Sequence, residues 1–179
     1  MQSGTNTSGR QRGVSLIETL MVAAIVTITA GAVMPDFSSM LQRQRLQGAV
    51  AQLQTELQYA RSLAVAERQA VRFSFRANAS QSCYAIHTGA AGACQCSGQT
   101  ATCTGGAVSF RTVGFDSASG LRATSNSGSF LFDPVKGTVT PTATIAVVNN
   151  QGDTVRLVVN IMGRVRSCTP TGLPGYKPC

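Results

Sequence analysis

The sequence predicts an α+β protein in which one long N-terminal helix packs on the antiparallel β-sheets of a C-terminal globular head. Three observations lead to this prediction. An apolar stretch covers residues 14–34, and a helical apolar period follows over residues 36–69. From residue 70 onward the period changes to the two-residue alternation of strands.

The first apolar stretch has the length of a membrane span. Its 21 residues are apolar or small apart from one glutamate, one serine and three threonines. As a helix it would extend about 30 Å, the thickness of a hydrocarbon core. We therefore expect residues 14–35 to form a transmembrane and assembly helix, with Arg10 and Arg12 holding its N-terminal side in the cytoplasm. The alternative is a secretory signal peptide, with "AGA" at residues 30–32 as its cleavage site.

A single acid, Glu18, interrupts this stretch. An ionised carboxylate at the centre of a bilayer costs about 3 kcal/mol, so its presence needs a reason. A cut between Gly13 and Val14 would create a new α-amino group four residues before the acid. In an oligomer the Glu18 carboxylate of one subunit could then pair with the terminal ammonium of another. Such a buried pair fixes register more than it stabilises.

The helix continues beyond the apolar stretch as an amphipathic segment over residues 36–69. Apolar residues recur at spacings of three and four along one face. They are Leu46, Val50, Leu53, Leu57, Ala60 and Ala64. The arginines of the segment, Arg43, Arg45, Arg61 and Arg68, lie mostly off this face and are expected in solvent.

Residues 70–179 predict the β-rich head. Six segments read as strands: AVRFSFR, CYAIHT, AVSFRTVGF, SFLFD, TATIAVVN and DTVRLVVNIM. "DPVKG" at residues 133–137 predicts a turn. The stretch from Gly89 to Gly106 is expected to be a loop tied by its cysteines.

Six cysteines follow the apolar stretch, and their even number beyond a membrane anchor predicts disulfides in an oxidising compartment. Zinc is the competing interpretation, because Cys94, Cys96 and Cys103 lie close in sequence. Cys168 and Cys179 bracket the C-terminal tail and are the expected pair. The partners of Cys83, Cys94, Cys96 and Cys103 stay open.

The composition argues against an enzyme, and no catalytic residue, metal site or cofactor is predicted. The chain has one histidine, His87, and seven acidic residues, too few for an evident triad or metal site. Asp116, Asp133 and Asp153 each adjoin turn residues, where capping is a sufficient role. The formal net charge of +8 suits an anionic partner instead.

The stretch "RGVSLIETLMVAAIVTITAGAVMP" resembles the class III signal of type IV pilins and type II secretion pseudopilins. The resemblance implies that residues 1–13 are a leader which a prepilin peptidase removes after Gly13, and that Val14 is then N-methylated. It also implies that Glu18 guides assembly and that Pro35 bends the helix. Val14 departs from the phenylalanine or methionine that is usual at this place.

The rest of the chain resembles the GspH/FimT group, in "ELQYARSLAVAERQAVRFSF", "FLFDPVKGTV" and "RLVVNIMGRVRSC". The resemblance implies a head of two β-sheets against the helix, and a single-pass inner-membrane protein with a periplasmic head. After assembly it would lie in a periplasmic or extracellular filament. The implied partners are other major and minor pilin or pseudopilin subunits, the prepilin peptidase and the inner-membrane assembly platform.

DNA is a further expected partner. The strand "DTVRLVVNIMGRVRSC" is expected to bury Val155, Leu157, Val159 and Ile161 on one face. The other face would then present Arg156, Arg164 and Arg166, and the tail would add Tyr176 and Lys177. "GRVR" resembles the GRxR motif of FimT proteins that bind DNA during natural transformation. This predicts a minor pilin that grips the DNA backbone without sequence preference.

Two alternatives stay open at this point. One is a GspH-type minor pseudopilin at the tip of a type II secretion pseudopilus, in which the same arginines contact other subunits. The other is an isolated single-span receptor head, which would not be processed at Gly13.

Overall fold

The computed structural model describes residues 13–78 and 81–179, except for the side chains of residues 32–36, 116 and 117. The chain divides into two compact units, Met1–Ser38 and Ser39–Cys179, which are taken in turn. The expected leader, residues 1–13, lies outside the described residues apart from Gly13.

The first described element is helix α1, Leu16–Ala66, whose beginning is capped by Ser15. The Ser15 hydroxyl accepts a hydrogen bond from the Glu18 N–H at 3.3 Å, as in a capping box of the S-x-x-E type. Within the first unit the side chains of residues 16–31 are exposed, Leu16 to 77%. Thr27 and Thr29 donate their hydroxyls to carbonyls one turn earlier, which hides their polarity and leaves an apolar cylinder.

Among the described residues, no helix is both long and apolar enough to cross a membrane. That finding does not support the membrane span expected for residues 14–35, which stays a prediction. Pro35 lies among the residues whose side chains are outside the description, so its role in bending the helix also stays a prediction.

In the second unit, α1 buries the face that its sequence period predicts. All six stripe residues from Leu46 to Ala64 are at most 1% exposed, which confirms the amphipathic assignment. The helix ends at Ala66, three residues before the expected end. Arg68 adopts a positive φ of 50°, and the Gln69 N–H turns back to the Ala64 carbonyl at 3.2 Å, which closes the last turn.

In the described part of the chain, the head has twelve strands and one short 3₁₀ turn, Ser117–Ser119. The strands are β1 Val71–Ala77, β2 Gln81–His87, β3 Cys94–Ser97, β4 Thr100–Cys103, β5 Ser109–Asp116, β6 Leu121–Ser125, β7 Ser129–Phe132, β8 Val139–Thr140, β9 Ala143–Asn149, β10 Thr154–Val159, β11 Val165–Thr169 and β12 Lys177–Pro178. All six expected strands are present, although the last, expected to reach Met162, ends at Val159.

These strands form two five-stranded sheets and a separate hairpin. The first sheet has the order β5-β2-β1-β7-β8, the second β12-β11-β10-β9-β6, and β3 pairs with β4. Every pairing is antiparallel except that of β11 with β12. The α+β class with a long N-terminal helix on antiparallel sheets is thereby confirmed, and β12 is its one parallel addition.

One core joins the helix to the inner faces of both sheets. Its centre is an aromatic layer in which the Phe73 ring stacks on Tyr84 at 4.8 Å and on Phe130 at 5.1 Å between centroids. All three side chains are fully buried. This layer belongs to the first sheet, while Ile145 and Leu157 supply the second sheet's share of the same core.

All six cysteines form disulfides, so the zinc interpretation was wrong. The pairs are Cys83–Cys96, Cys94–Cys103 and Cys168–Cys179. The last is the pair that the sequence favoured. The Gly89–Gly106 stretch is tied by cysteines as expected, but it contains the β3–β4 hairpin. Cys83–Cys96 fastens this hairpin to β2 and closes a small second core.

Candidate nucleic-acid interface

The basic residues near the C-terminus lie on a hairpin, where the sequence predicted one continuous strand. β10 ends at Val159, the chain turns over residues 160–164, and β11 returns from Val165. Asn160 organises the turn, because its carbonyl accepts the Gly163 N–H and its side-chain oxygen accepts the Arg164 N–H. Ile161 therefore lies at the tip and is 60% exposed, so its expected burial was wrong. Val155, Leu157 and Val159 are buried as expected.

Gly163, the first residue of "GRVR", has a structural role in this turn. Its φ is +70°, and a Cβ there would lie 2.5 Å from the Gly137 carbonyl oxygen. The same oxygen accepts a hydrogen bond from Arg61 Nε at 3.1 Å. The glycine therefore lets the β10–β11 turn pack on the loop between β7 and β8. Arg61 is a structural ligand of that loop and not simply a solvated residue.

The hairpin brings Arg156 and Arg166 to neighbouring places on the outer face of the second sheet. Arg166 lies opposite Val158 and Arg156 opposite Cys168, so the two arginines are diagonal neighbours. Diagonal positions are separated by about 7–8 Å. Arg164 precedes Arg166 by two residues, about 7 Å along an extended chain, and is also exposed. The three arginines thus cluster on one face, as the sequence predicted, by a different path.

The tail extends this face by one strand. β12 pairs with β11 so that Lys177 lies beside Cys168, and the Cys168–Cys179 bridge ties the end of the chain to the same place. Lys177 thus lies two strands from Arg156, about 10 Å away. Tyr176 does not join the surface, because it packs against the core, and burial raises the pKa of its hydroxyl. Leu173, which is 3% exposed, anchors the tail from below.

No carboxylate side chain balances these cations from their own segment, because residues 154–179 contain neither Asp nor Glu. The nearest acid along the chain, Asp153, is already engaged. Arg43 Nε lies 3.3 Å from its carboxylate, and Asn149 donates to it at 3.1 Å. Arg43 is exposed, as the sequence suggested, and is also paired with Asp153. Within residues 13–78 and 81–179, the side chains of Arg156, Arg164, Arg166 and Lys177 make no ion pair or hydrogen bond.

Sequence reasoning missed a further cation on this face, Arg122. It lies on β6 at the far edge of the second sheet, where it alternates with the buried Leu121 and Ala123. Thr124 of β6 pairs with Ala146 of β9, and Ala146 pairs with Arg156 of β10. β6 and the arginine hairpin therefore belong to the same outer face. Arg122 Nη2 donates to the Asn78 carbonyl at 3.2 Å, which holds the guanidinium at the edge. The alternation of residues 121–124 could have indicated this strand, but it contains only two apolar residues.

The residues of the predicted processing site precede the helix. Gly13, Val14 and Ser15 are exposed and not helical, so the peptide bond between Gly13 and Val14 lies two residues outside the first turn. Glu18 is exposed in that first turn, where the positive end of the helix dipole stabilises a carboxylate.

The remaining titratable groups have structural roles. His87 is fully buried, with its Nε2 2.8 Å from the Ser74 hydroxyl and its Nδ1 2.7 Å from the Thr88 carbonyl, and burial lowers its pKa. Asp133 accepts the N–H groups of Lys136 and Val135, and these hydrogen bonds lower the pKa of its carboxyl. This confirms the turn predicted for "DPVKG". The Asp116 side chain lies outside the described residues.

A long N-terminal helix packed on two largely antiparallel sheets gives this protein a type IV pilin-like fold. Residues 49–163 match the model of the family described as Type II transport protein GspH, and the chain belongs to that family. Two crystal structures of the Pseudomonas aeruginosa type IV minor pilin FimU are similar in fold. One has 23% identity, a TM-score of 0.53, and coverage of 75% of this chain and 96% of that one. The other has 22% identity, a TM-score of 0.51, and coverage of 73% and 98%. No curated protein sequence matches the chain.

Proposed function

We propose that the protein is a minor pilin of a type IV pilus and that its head binds DNA without sequence preference during natural transformation. The observation that carries the proposal is the cluster of Arg156, Arg164, Arg166 and Lys177 on the outer face of the second sheet. Their side chains are exposed, and no partner within the described residues neutralises them.

The chemistry of this surface fits a phosphate backbone better than base edges. Arginines at strand positions about 7 Å apart can bind successive phosphates through paired hydrogen bonds. The flat outer face of a sheet has no element that would enter a groove, so the contacts carry no sequence information. Most of the binding free energy would then come from the release of counterions.

The test compares the DNA affinity of the full chain in detergent with that of Arg164→Ala plus Arg166→Ala. We expect at least a tenfold loss of affinity at low salt, measured by the fluorescence anisotropy of labelled duplexes of two unrelated sequences. A matched control, Arg45→Ala plus Arg68→Ala, removes the same charge from helix α1 and its cap and should change the affinity less than threefold. Equal losses in the two variants would mean that only net charge matters.

We also propose that the chain enters its filament through the N-terminal segment. A prepilin peptidase would cut after Gly13 and methylate Val14, and Glu18 would pair with the terminal ammonium of a neighbour. Support comes from the exposed, non-helical peptide before Leu16 and from the apolar surface of residues 16–31, which needs lipid or neighbouring helices to cover it. Mass spectrometry of the protein from its host should show a chain beginning at methylated Val14. An unshifted N-terminus would favour the isolated receptor head instead.

The second candidate is a GspH-type minor pseudopilin at the tip of a type II secretion pseudopilus. The match to a family described as a type II transport protein favours it. In that role Arg164 and Arg166 would contact other subunits. The double alanine variant would then lose secretion, and DNA affinity would be low both with and without the two substitutions. The genes that neighbour this one, pilus or secretion genes, separate the two candidates independently of any binding measurement.

A further inference from the structure

A groove of about 880 Å³ runs between helix α1 and the free edge of the first sheet. β5 is the last strand of that sheet on this side, so one row of its peptide groups has no neighbouring strand. Gly48, Ala49 and Gln52 of α1 form the opposite wall. A Cβ added at Gly48 would meet no atom within 4 Å, which shows that the helix surface is open here.

The free edge of β5 is already engaged by an amide that is not part of a strand. Gly114 donates its N–H to Gln99 Oε1 at 3.4 Å, and Gln99 Nε2 donates to the Gly114 carbonyl at 3.3 Å. One side-chain amide thus makes the two hydrogen bonds that a neighbouring strand would make. Thr112 lies two residues before Gly114 in β5, and the alternation of a strand therefore directs its N–H and C=O to the same edge.

The groove has a cation at each end and apolar side chains between them. Arg111 lies at one end, held by Glu56 of the helix with 2.6 Å between Nε and Oε1, and its side chain is still 55% exposed. Gln42 lies against Gly120, which follows β5, so the helix runs antiparallel to β5. Arg45 therefore lines the other end, beside Phe115.

We propose that this groove accepts an extended acidic segment of another protein chain, which adds to β5 as a strand and displaces the Gln99 amide. An added strand places alternate side chains on the helix side, opposite Arg111, Val113 and Phe115. The complementary segment has the pattern acid-x-apolar-x-acid, since two acids four residues apart in a strand are separated by about 14 Å. This pattern reads the same in both chain directions, so parallel and antiparallel addition satisfy it equally.

The occupant is a different protein and not a second copy of this chain. The sequence contains seven acidic residues, and no two of them stand four apart. In the proposed filament the segment would come from another subunit. Only this assignment of the segment to another filament subunit rests on the proposed function. The binding test below uses neither DNA nor a filament.

The probe is the peptide Thr-Glu-Thr-Val-Thr-Glu-Thr, acetylated and amidated, titrated into the full chain in detergent. A control peptide of equal composition, Thr-Thr-Glu-Val-Glu-Thr-Thr, places its acids on the face opposite the valine and should bind at least tenfold more weakly. Binding should also slow hydrogen exchange at the Thr112 amide. Equal affinity for the two peptides, or no binding at millimolar concentration, would overturn the proposal.

Four variants separate edge pairing from non-specific attraction. Gln99→Ala vacates the edge and should tighten binding severalfold. Arg45→Glu should weaken binding at least tenfold, whereas Arg68→Glu, which removes a cation outside the groove, should leave it unchanged. Thr112→Pro removes one edge N–H without touching the bonds to β2, and should abolish binding. If Arg45→Glu and Arg68→Glu weaken binding equally, the groove is not the site.

Discussion

The two sheets of the head share one core but differ in what covers their outer faces. The first sheet is covered by the β3–β4 hairpin, which Cys83–Cys96 fastens to it, and a basic residue on this face, Arg76, donates to Gln95 of the hairpin at 2.7 Å. The second sheet has no such cover among the described residues, and its arginines have no acidic partner. The comparison teaches that the outer face of the first sheet is occupied by a hairpin that also binds Arg76, whereas the outer face of the second sheet presents Arg156, Arg164 and Arg166 with no acidic partner in the described part of the chain.

The largest expected effect breaks the core on which both faces depend. Phe73→Ala removes the middle ring of the aromatic layer and leaves a cavity beneath both sheets. We expect a loss of about 3–5 kcal/mol in the free energy of unfolding, measured by denaturant titration. A loss below 1 kcal/mol would show that the layer does not carry the fold.

Much of this fold is predictable from sequence, because burial imposes a period on it. The helix stripe from Leu46 to Ala64 and the strand β9 are predicted well, since their buried residues recur at the regular spacing of a helix and of a strand. The pairing of Cys168 with Cys179 is predictable because the two residues bracket the C-terminal tail. Cys94–Cys103 requires the β3–β4 hairpin, which was expected to be a loop, and Cys83–Cys96 depends on how that hairpin folds over the first sheet.

The candidate interface is predictable in its residues but not in its path. A single extended strand and a hairpin both place Arg156 and Arg166 on one face, because both preserve the two-residue alternation. The two paths differ in the Asn160 turn, which depends on one polar side chain within an otherwise apolar run. Arg122 could not be predicted as part of the interface because β6 is short. The prediction for Tyr176 was wrong because the packing of the tail depends on Leu173.

The next effect separates the two faces by their disulfides. Cys168→Ala plus Cys179→Ala should cost about 3 kcal/mol in the chain-entropy picture and release Lys177 from the second sheet, with a several-fold loss of DNA affinity. Cys94→Ala plus Cys103→Ala disturbs only the hairpin over the first sheet and should leave DNA affinity unchanged. If both variants lose DNA binding equally, the two faces are not independent.

A smaller effect concerns Gly163 and its matched control, Gly172. Both have φ near +70°, but a Cβ at Gly172 would meet no atom within 4 Å, whereas one at Gly163 would meet the Gly137 oxygen. Gly172→Ala should cost about 1 kcal/mol for the left-handed backbone alone. Gly163→Ala should cost about 1–2 kcal/mol more, as thermal unfolding of the two variants would show. Equal costs would refute the close approach of the two loops.

The two faces should also differ in their response to pH. Because burial lowers the pKa of His87, the unfolded chain takes up the proton first, and stability is lost as pH falls below about 6.5 toward the folded-state value. His87→Gln should flatten this part of the stability profile. The proposed DNA-binding face contains no histidine, and DNA binding should stay constant between pH 6.5 and 8.

The smallest effect tests the edge of the second sheet. Arg122→Ala should weaken DNA binding about twofold to threefold, because its guanidinium is partly occupied by the Asn78 carbonyl. Arg45→Ala, which removes one cation from the helix, is the matched control. An effect as large as that of Arg166→Ala would move the centre of the interface toward β6.

The central claim is that the outer face of the second sheet binds phosphates, and the salt dependence of DNA affinity tests it most directly. In a plot of the logarithm of the binding constant against that of the salt concentration, each phosphate contact contributes a slope of about −0.9. Arg164→Ala plus Arg166→Ala should therefore make the slope shallower by about 1.8, whereas Arg45→Ala plus Arg68→Ala should leave it unchanged. A slope that stays the same when Arg164 and Arg166 are removed would contradict the claim.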